Sequence, residues 1–391
     1  MEGSKMDAFD LINISQYDME RIFNDEQFDL PIEWDGLDFI SNVANLLDKY
    51  VESIDRIIIQ KNNEKDCNKK FLCDIKQICF SINESIDLYL QGSPALAYNS
   101  IDNIMRFLSK NELGRYQKTG FLKTSADPLD LYRVSFVNES EEINRQKIFH
   151  VPYNLRNKIS TCRYSIAGYP CLYLSTTPQL ACKEIGLNVN DHYNYDNRIL
   201  IASKFKINRN INNGINADVL ELAIKPSDFI LNTNIHHTQR RFDEINLHEE
   251  SVMRNYLFWY PVIAVSSYIR QDKNGHLAPE YIVPQLIMQW VNHKNKKLIG
   301  DRKRKYNVSE EELIIPMTGI RYFSCASKEA SEMGFNYVFP VSGEQYSTTV
   351  PYCKYLSKAF KLTKPLYLHR YNSIRECEYA LIRDTDLDYI G

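Results

Sequence analysis

Apolar residues in the first third of the chain recur at intervals of three and four positions, the spacing of one face of an α-helix. A first run over residues 37–58 consists of Leu37, Ile40, Val43, Leu47, Tyr50, Val51, Ile54 and Ile58. A second run consists of Phe71, Ile75, Ile78, Ile82, Ile86 and Tyr89. The two runs predict two amphipathic helices that each bury one face.

The residues after the second run predict where one helix ends and the next begins. Gly92 can adopt the left-handed conformation that closes a helix. Ser93 can cap the free N–H groups of a new helix, and Pro94 suits its first position. The apolar face then continues through Leu96, Ile101, Ile104 and Leu108. We therefore expect an all-α module over residues 1–125.

The pattern changes after Gly120, where short apolar runs separated by Pro, Gly and Asn replace the long helical periods. Runs of this kind are typical of strands. The predicted strands are residues 131–136, 171–175, 199–205, 262–268, 320–324 and 336–341. Helical patterns lie between these strands, so residues 126–391 are predicted to form an α+β domain.

Composition and charge exclude several classes of protein. Apolar residues make up 44% of the 391 positions and charged residues 25%, as in ordinary globular proteins. The formal net charge of -3 gives no overall field that would attract nucleic acid or an anionic membrane. A basic run at 302–305 is followed by acidic residues at 310–312, which favours a solvated loop over a nucleic-acid patch.

Several motifs are missing from the sequence. No stretch approaches the roughly 18 apolar residues that cross a bilayer, and the start has no signal-peptide pattern. The 9 cysteines form no C-x-x-C pair, so reduced thiols in the cytoplasm are expected. There is no P-loop and no G-x-G-x-x-G, and His248-Glu249 lacks the second histidine of a zinc protease.

The segment 163–184, RYSIAGYPCLYLSTTPQLACKE, begins as a turn and a strand. Gly168 and Pro170 predict the turn. In the strand that follows, Leu172 and Leu174 share one face and can enter a core. Tyr173 is therefore expected on the opposite face of the sheet.

The same segment then predicts a short helix that carries a carboxylate. Thr177 and Pro178 have the pattern of an N-cap and a first helical residue. Glu184 shares the face of Leu180 and Ala181, where a carboxylate must reach water or find a partner. Spacing alone leaves two interpretations, a functional carboxylate or a residue that reaches the surface where the helix ends.

These motifs, in this order, resemble the RES family of NAD-degrading toxins, which is named after an arginine, a glutamate and a serine. The matching motifs are Leu131-Tyr132-Arg133, Phe149-His150-Val151-Pro152, Arg163-Tyr164-Ser165, Gly168, Leu172-Tyr173-Leu174 and residues 181–184. Further matches are EYIVPQLIMQW at 280–290, GIRYFS at 319–324 and NYVFP at 336–340. The resemblance covers roughly residues 126–345.

The resemblance implies both a fold and an activity. The fold is an ADP-ribosyltransferase-like RES domain with a split mixed or antiparallel sheet, preceded by a HEPN-like helical module. The activity is that of an NAD+ glycohydrolase or NAD+ phosphorylase, which cleaves the nicotinamide–ribose bond and depletes cellular NAD. NAD+ is then the substrate, water or inorganic phosphate is the acceptor, and no metal or other cofactor is implied.

Carried over position by position, the family's site residues fall on Glu184, Arg163, Arg133, Tyr173 and Ser324. Glu184 would stabilise the ribosyl cation or hold its hydroxyls. Arg133 and Arg163 would grip the phosphates of the dinucleotide. Tyr173 would stack on nicotinamide or ribose, and the Ser324 hydroxyl would orient the amide or ribose.

Some assignments stay open at this point. Phe323 stands where the family has a proline, so the alternatives for the serine are Ser327, Ser266 and Ser267. A phosphate acceptor would need a second anion site, for which the candidates are Arg156, Arg321 and His150. His150 is also interpreted as a structural residue that satisfies a backbone group.

Two other functions and several partners follow from the same residues. The domain could transfer ADP-ribose to a macromolecule, or it could be an inactive RES-like scaffold whose helices bind a partner. HEPN-type RNA cleavage is not expected, because no histidine precedes His150. The resemblance implies restraint by an antitoxin or by a phage-derived trigger in antiphage defence. A homodimer is a further expectation, whereas neither a membrane nor nucleic acid is expected as a partner.

Overall fold

The computed structural model describes residues 12–61, 66–109, 123–125, 130–138, 140–187, 198–207, 218–230, 250–306, 318–342, 351–371 and 373–390. The chain forms two compact units. The first comprises Met1–Phe121 and Ile224–Ile287, and the second comprises Leu122–Ala223 and Met288–Gly391. The domain boundary at residue 125, expected from the sequence, stays a prediction.

The α+β class predicted from the sequence is confirmed. The helices are α1 (Gln16–Ile22), α2 (Phe39–Gln60), α3 (Asp66–Leu90), α4 (Pro94–Ser109), α5 (Pro178–Glu184), α6 (Ser227–Ile230), α7 (Glu250–Ser266), α8 (Ile282–Tyr306), α9 (Lys328–Ser331), α10 (Lys354–Ala359) and α11 (Ile374–Arg383). The strands are β1 (Lys123–Ser125), β2 (Leu131–Asn138), β3 (Cys171–Ser175), β4 (Arg198–Ile207), β5 (Asp218–Leu222), β6 (Gly319–Phe323), β7 (Phe335–Pro340), β8 (Phe360–Leu362) and β9 (Leu366–Tyr367). Short 3-10 turns lie at Glu26–Phe28, Arg145–Ile148, Tyr153–Lys158, Pro279–Tyr281 and Leu368–Arg370.

The three predicted helices of the first unit correspond to α2, α3 and α4. Helix α2 begins at Phe39 because the Asp38 carboxylate caps it, accepting from the Ser41 amide at 3.1 Å. Leu37 therefore lies outside the helix and is 87% exposed. The predicted stop after α3 is confirmed by Gly92, which has a φ of 81°. Helix α4 begins at Pro94 as predicted.

Helix α7 corrects the strand predicted at residues 262–268. It is buried along nearly its whole length from Val252 to Ser266. A continuous apolar run has no period that distinguishes a buried helix from a buried strand, and here the helix is the outcome. A second correction concerns the basic run at 302–305, which lies at the end of α8 and not in a loop; residues 307–317 lie outside the described residues.

Pro261 lies inside α7 and leaves one carbonyl of the helix without its usual donor. Proline has no N–H, so the carbonyl four residues earlier, that of Leu257, loses its helical hydrogen bond. The hydroxyl of Tyr50, a fully buried residue of α2, donates to this Leu257 oxygen at 2.6 Å. The side chain of one helix thus replaces the missing donor of another.

Replacing Tyr50 by Phe is expected to lower the free energy of unfolding by about 1–3 kcal/mol, since a buried carbonyl is left unsatisfied. Urea denaturation measures this difference. In a Pro261→Ala background, which restores the helical N–H, the same Tyr50→Phe change should cost less. Tyr17→Phe, at a tyrosine that is 65% exposed, is the control and should have little effect. Equal costs with and without Pro261 would contradict this role of the hydroxyl.

The described part of the second unit contains a nine-stranded mixed sheet with strand order β1-β5-β6-β7-β3-β2-β4-β8, and β9 pairs with β4. β5 and β6 are parallel, and the other neighbours are antiparallel. β2, β3, β4, β6 and β7 confirm five of the predicted strands, whereas β1, β5, β8 and β9 were not predicted. β2 and β3 pair at a single position in the described strands, Tyr132 with Ser175. The sheet is therefore split between these two strands.

One hydrophobic cluster on this sheet positions helix α5. It joins Val134 of β2 and Ala202 of β4 to Cys182 of α5 and Cys377 of α11. The Gln179 amide of α5 also donates to Glu378 of α11 at 2.9 Å. Helix α5 is thus held against the sheet on one side and against the last helix on another.

Candidate active site

Arg163 lies at the tip of a two-residue hairpin turn. The Cys162 amide donates to the Ser165 carbonyl at 2.8 Å, and the Ser165 amide donates to the Cys162 carbonyl at 3.1 Å. These bonds place Arg163 and Tyr164 at the two central positions of the turn. Both side chains are buried, and the ring of Tyr164 lies 4.7 Å from that of Tyr322. Arg163 is therefore a buried cation close enough to both tyrosines to interact with them electrostatically.

Tyr173 lies on β3 with the alternation expected from the sequence. Leu172 and Leu174 are buried, and Tyr173 on the other face is half-buried. Its hydroxyl shares a hydrogen bond of 3.0 Å with the Ser165 hydroxyl. Burial raises the pKa of Tyr173 well above its ordinary value, so the phenol stays neutral. The hairpin turn and β3 thus bring Arg163 and Tyr173 into one region.

Arg133 lies where the sheet is split. Because β2 and β3 separate after Tyr132, the Tyr173 carbonyl accepts from the Arg133 Nη1 atom at 3.1 Å. The Arg133 Nε atom is inaccessible to solvent and has no hydrogen-bond acceptor among the described residues. Burial lowers the pKa of Arg133 to about 10, which still leaves it charged at neutral pH. A cation with an unused donor therefore lies beside Tyr173.

Glu184 is the last residue of helix α5. The helix begins as predicted, with the Thr177 hydroxyl accepting from the Leu180 amide at 3.2 Å. It ends before Gly186, whose φ is 81°. Glu184 is exposed, yet its Oε1 atom accepts from the Ser324 hydroxyl at 2.5 Å and from the Asn336 amide at 2.7 Å. The carboxylate both reaches the surface and is held by two donors.

Ser324 is the one of the four candidate serines that contacts Glu184 in the described structure. It directly follows β6, is fully buried, and accepts from the Ala326 amide at 3.2 Å. Ser327 instead caps α9, accepting from the Ala330 amide at 3.0 Å. Ser266 and Ser267 lie at and just after the end of α7, in the first unit. The geometry therefore favours Ser324.

Asn336 was not identified from the sequence. It lies on β7 directly opposite Ser175 of β3 and Tyr322 of β6. Its Oδ1 atom accepts from the Ser175 hydroxyl at 2.7 Å, while its Nδ2 atom donates to Glu184. The available signal was an amide at the start of an apolar strand, NYVFP. That signal did not reveal which residue the amide would contact.

Arg321 and Arg156, two of the candidates for a second anion site, differ in their surroundings. Arg321 forms a buried ion pair with Glu221, which lies opposite it on the parallel strand β5. Burial would lower the pKa of Arg321, but the Glu221 carboxylate raises it above its ordinary value. The charge of Arg321 is thus already engaged, which corrects its assignment as an anion-site candidate. Arg156 lies half-buried in the turn Tyr153–Lys158 and stays a candidate.

His150 has the structural role that the sequence suggested. It is fully buried, and its Nδ1 atom lies 2.8 Å from the Val151 carbonyl. Its Nε2 atom accepts from the Cys353 amide at 2.9 Å, which requires a neutral ring with the proton on Nδ1. Burial lowers the pKa of His150 to about 4, and the charge of Arg133 acts in the same direction. His150 is therefore not a cationic ligand for an anion at neutral pH.

The depressed pKa of His150 predicts a loss of stability in acid. The unfolded chain takes up a proton at the ordinary pKa of 6.5 and the folded chain at about 4, so stability falls as pH drops between these values. From about pH 7.5 to about pH 4.5 the loss attributable to His150 is about 2–3 kcal/mol.

Urea denaturation of the wild type and of His150→Gln at both pH values isolates this contribution. The wild type should lose more stability than the variant. The control His369→Gln, at an exposed histidine, should lose as much as the wild type. A wild-type loss equal to that of His150→Gln would show that His150 is not the group responsible.

The described ranges contain neither a metal cluster nor a membrane-spanning helix. No group of three or more His, Cys, Asp or Glu side chains there is arranged to hold a metal ion. No helix in the same ranges has both the length and the apolar character needed to span a bilayer.

Comparison with known proteins finds one match along nearly the whole chain. It is the Bacillus subtilis (strain 168) protein named "Putative toxin YopC", with 24% identity over 367 residues. The matched region covers 91% of this chain and 72% of the relative. No family model matches the chain, and no solved structure matches it. The chain is thus similar to a protein that is named as a toxin.

Proposed function

We propose that this chain is a toxin enzyme that consumes NAD+ by breaking the bond between nicotinamide and ribose. The observation that carries the proposal is the placement of Glu184, an exposed carboxylate held by Ser324 and Asn336 through one oxygen. Its second oxygen receives no hydrogen bond from the residues that the structure describes. The similarity to YopC supports the toxin role.

The reaction requires a carboxylate at this kind of position. The bond between ribose C1′ and the pyridinium nitrogen breaks, and its electron pair leaves with neutral nicotinamide. Positive charge develops on the ribose, where the Glu184 carboxylate stabilises it. An oxygen of water or phosphate then bonds to C1′, and a water acceptor releases one proton. The second product is ADP-ribose or ADP-ribose 1″-phosphate.

Two buried arginines of the candidate site suit the phosphates of the substrate. NAD+ carries two phosphate charges, and an arginine fork binds such oxygens at two points. Arg163 is buried near Tyr322, and Arg133 has a buried donor without an acceptor among the described residues. The neutral ring of Tyr173 belongs to a residue whose carbonyl accepts from Arg133 and whose hydroxyl is bonded to Ser165, two positions after Arg163, and it suits stacking on nicotinamide or ribose.

Production of the chain in bacterial cells tests the proposal. Cells that produce the wild type should lose NAD before growth stops, whereas cells that produce Glu184→Gln at the same level should keep NAD and grow. Total NAD and culture density are measured in the same samples. Growth arrest by the wild type at an undiminished NAD content would exclude NAD consumption as the toxic activity.

A further inference from the structure

Three polar side chains from two neighbouring strands and a helix form a hydrogen-bonded series that ends at Glu184. The Ser175 hydroxyl on β3 donates to Asn336 Oδ1 on β7 at 2.7 Å. The Asn336 Nδ2 atom then donates to Glu184 Oε1 at 2.7 Å. Ser175 is 4% exposed and Asn336 2% exposed, so neither bond is readily exchanged for one with water. The first two members of this hydrogen-bonded series are therefore buried within the sheet.

The Glu184 carboxylate, which can only accept, determines that the N–H end of the Asn336 amide faces it, and the Ser175 hydroxyl anchors the opposite end by donating to Oδ1. An amide has a donor end and an acceptor end that differ little in size, so its orientation depends on its partners. With the hydroxyl proton directed at Oδ1, the N–H groups must point toward the carboxylate. The reversed amide would place its oxygen against Glu184 Oε1, where two acceptors repel. One orientation alone satisfies all three side chains.

The backbone around Ser175 and Asn336 belongs to two central strands of the sheet. Ser175 and Asn336 are directly opposite in the β3–β7 pair, and Asn336 is also opposite Tyr322 in the β6–β7 pair. Side chains on central strands hold a neighbouring group more accurately than side chains on loops. The donor to Glu184 therefore comes from a fixed point of the sheet, while Glu184 itself ends a short helix.

We propose that Ser175 and Asn336 are positioning residues that hold the Glu184 carboxylate in its reactive orientation. The proposal rests on the proposed function, in which Glu184 acts on the ribosyl cation. Asn336 acts through Glu184 and does not itself contact the substrate. Groups that orient a functional side chain in this way typically change activity by about 10- to 100-fold when they are removed.

The isosteric variant Asn336→Asp provides the sharpest test. At about pH 8, kcat for NAD+ should fall about 10-fold with little change in KM, because a second carboxylate cannot donate to Glu184. At lower pH the two neighbouring carboxyl groups share a proton, which restores a donor, so the deficit should shrink. A deficit that is the same at every pH, or wild-type kcat at about pH 8, would overturn the proposal.

Two further variants complete the activity test. Ser175→Ala keeps the amide but removes the hydroxyl that donates to its Oδ1 atom, so kcat should fall by a smaller factor than in Asn336→Asp, with the pH profile of the wild type. Asn138→Asp is the matched control, since Asn138 donates to Glu141 at 2.7 Å at an exposed position. It should keep wild-type kcat and pH profile. A Ser175→Ala enzyme with wild-type kcat would remove Ser175 from the pair.

A measurement without NAD+ separates this proposal from the proposed function. Urea denaturation of the wild type, Asn336→Ala, Glu184→Ala and the double variant gives the coupling between the two side chains, since each single change removes their hydrogen bond. A positioning contact predicts that their effects on unfolding are not additive. Failure of the wild type to consume NAD+ would refute the function, whereas additive unfolding effects would refute the positioning pair whether or not NAD+ is consumed.

Discussion

Replacing Glu184 by glutamine is expected to lower the rate of NAD+ cleavage by about 100- to 1,000-fold, the effect of removing one electrostatic contact to a transition state. Glutamine has the size of glutamate, and its carbonyl oxygen can still accept from Ser324 and Asn336. The change therefore removes the charge and leaves the geometry of the site. Initial rates at saturating NAD+ measure the loss, and thermal unfolding shows whether the fold is intact.

The matched control is Glu376→Gln, at an exposed glutamate in the first turn of α11. It should cleave NAD+ at the wild-type rate. If Glu184→Gln also retained the wild-type rate, Glu184 would not be the carboxylate that stabilises the ribosyl cation. An unfolded Glu184→Gln protein is not expected, because the carboxylate is exposed and the helix is held by its apolar face.

Arg133→Met is expected to weaken NAD+ binding by about 10- to 100-fold, since a hydrogen bond from a charged group to phosphate contributes about 1.5–3 kcal/mol. Arg133 is held by the Tyr173 carbonyl through Nη1, while its Nε donor is unused among the described residues. Binding is measured by calorimetry in the Glu184→Gln background, where the substrate stays intact. NAD+ should also raise the melting temperature of Glu184→Gln more than that of the double variant.

The control for this arginine is Arg198→Met. Arg198 lies on the neighbouring strand β4, is exposed, and stacks over the Phe136 ring at 4.8 Å. The control should bind NAD+ as tightly as Glu184→Gln alone. Unchanged affinity in Arg133→Met would show that the buried arginine at the split of the sheet does not hold the phosphates.

Local patterns predicted much of the fold, because several elements carry their own periodicity and caps. The alternation around Tyr173 predicted β3, and Thr177 with Pro178 predicted the start of α5. The apolar run at residues 262–268 was wrongly predicted as a strand, since burial on all sides of α7 removes the amphipathic period of the helix. Short strands such as β8, which has three residues paired with β4, carry too few residues for a pattern.

The contacts of the candidate site depend on strand register, which a local pattern does not contain. Glu184 meets Ser324, 140 positions away, and Asn336, 152 positions away. Spacing alone left open whether Glu184 reaches the surface or finds a hydrogen-bonding partner. In the structure its side chain is exposed and also accepts two hydrogen bonds. The same holds for Arg321, which the sequence assigned to an anion site. Only the strand register shows that Glu221 lies opposite it on a parallel strand and already pairs with its charge.

The split between β2 and β3 also has no local signal. Both strands are correctly predicted as separate elements, but their pairing at one position follows from the packing of the whole sheet. This split gives Arg133 access to the Tyr173 carbonyl, and it brings the first arginine of the site to the tyrosine. Among the residues that the resemblance to the RES family suggested, the structure joins Arg133 to Tyr173 and Glu184 to Ser324.

The most direct test of NAD+ cleavage is product analysis of purified protein incubated with NAD+, with and without inorganic phosphate. We expect free nicotinamide in an amount equal to the NAD+ lost, with ADP-ribose or, when phosphate is the acceptor, ADP-ribose 1″-phosphate as the second product. The Glu184→Gln protein should release neither. NAD+ recovered intact from the wild-type protein under both conditions, or its ADP-ribose found attached to protein or nucleic acid, would contradict the proposed reaction.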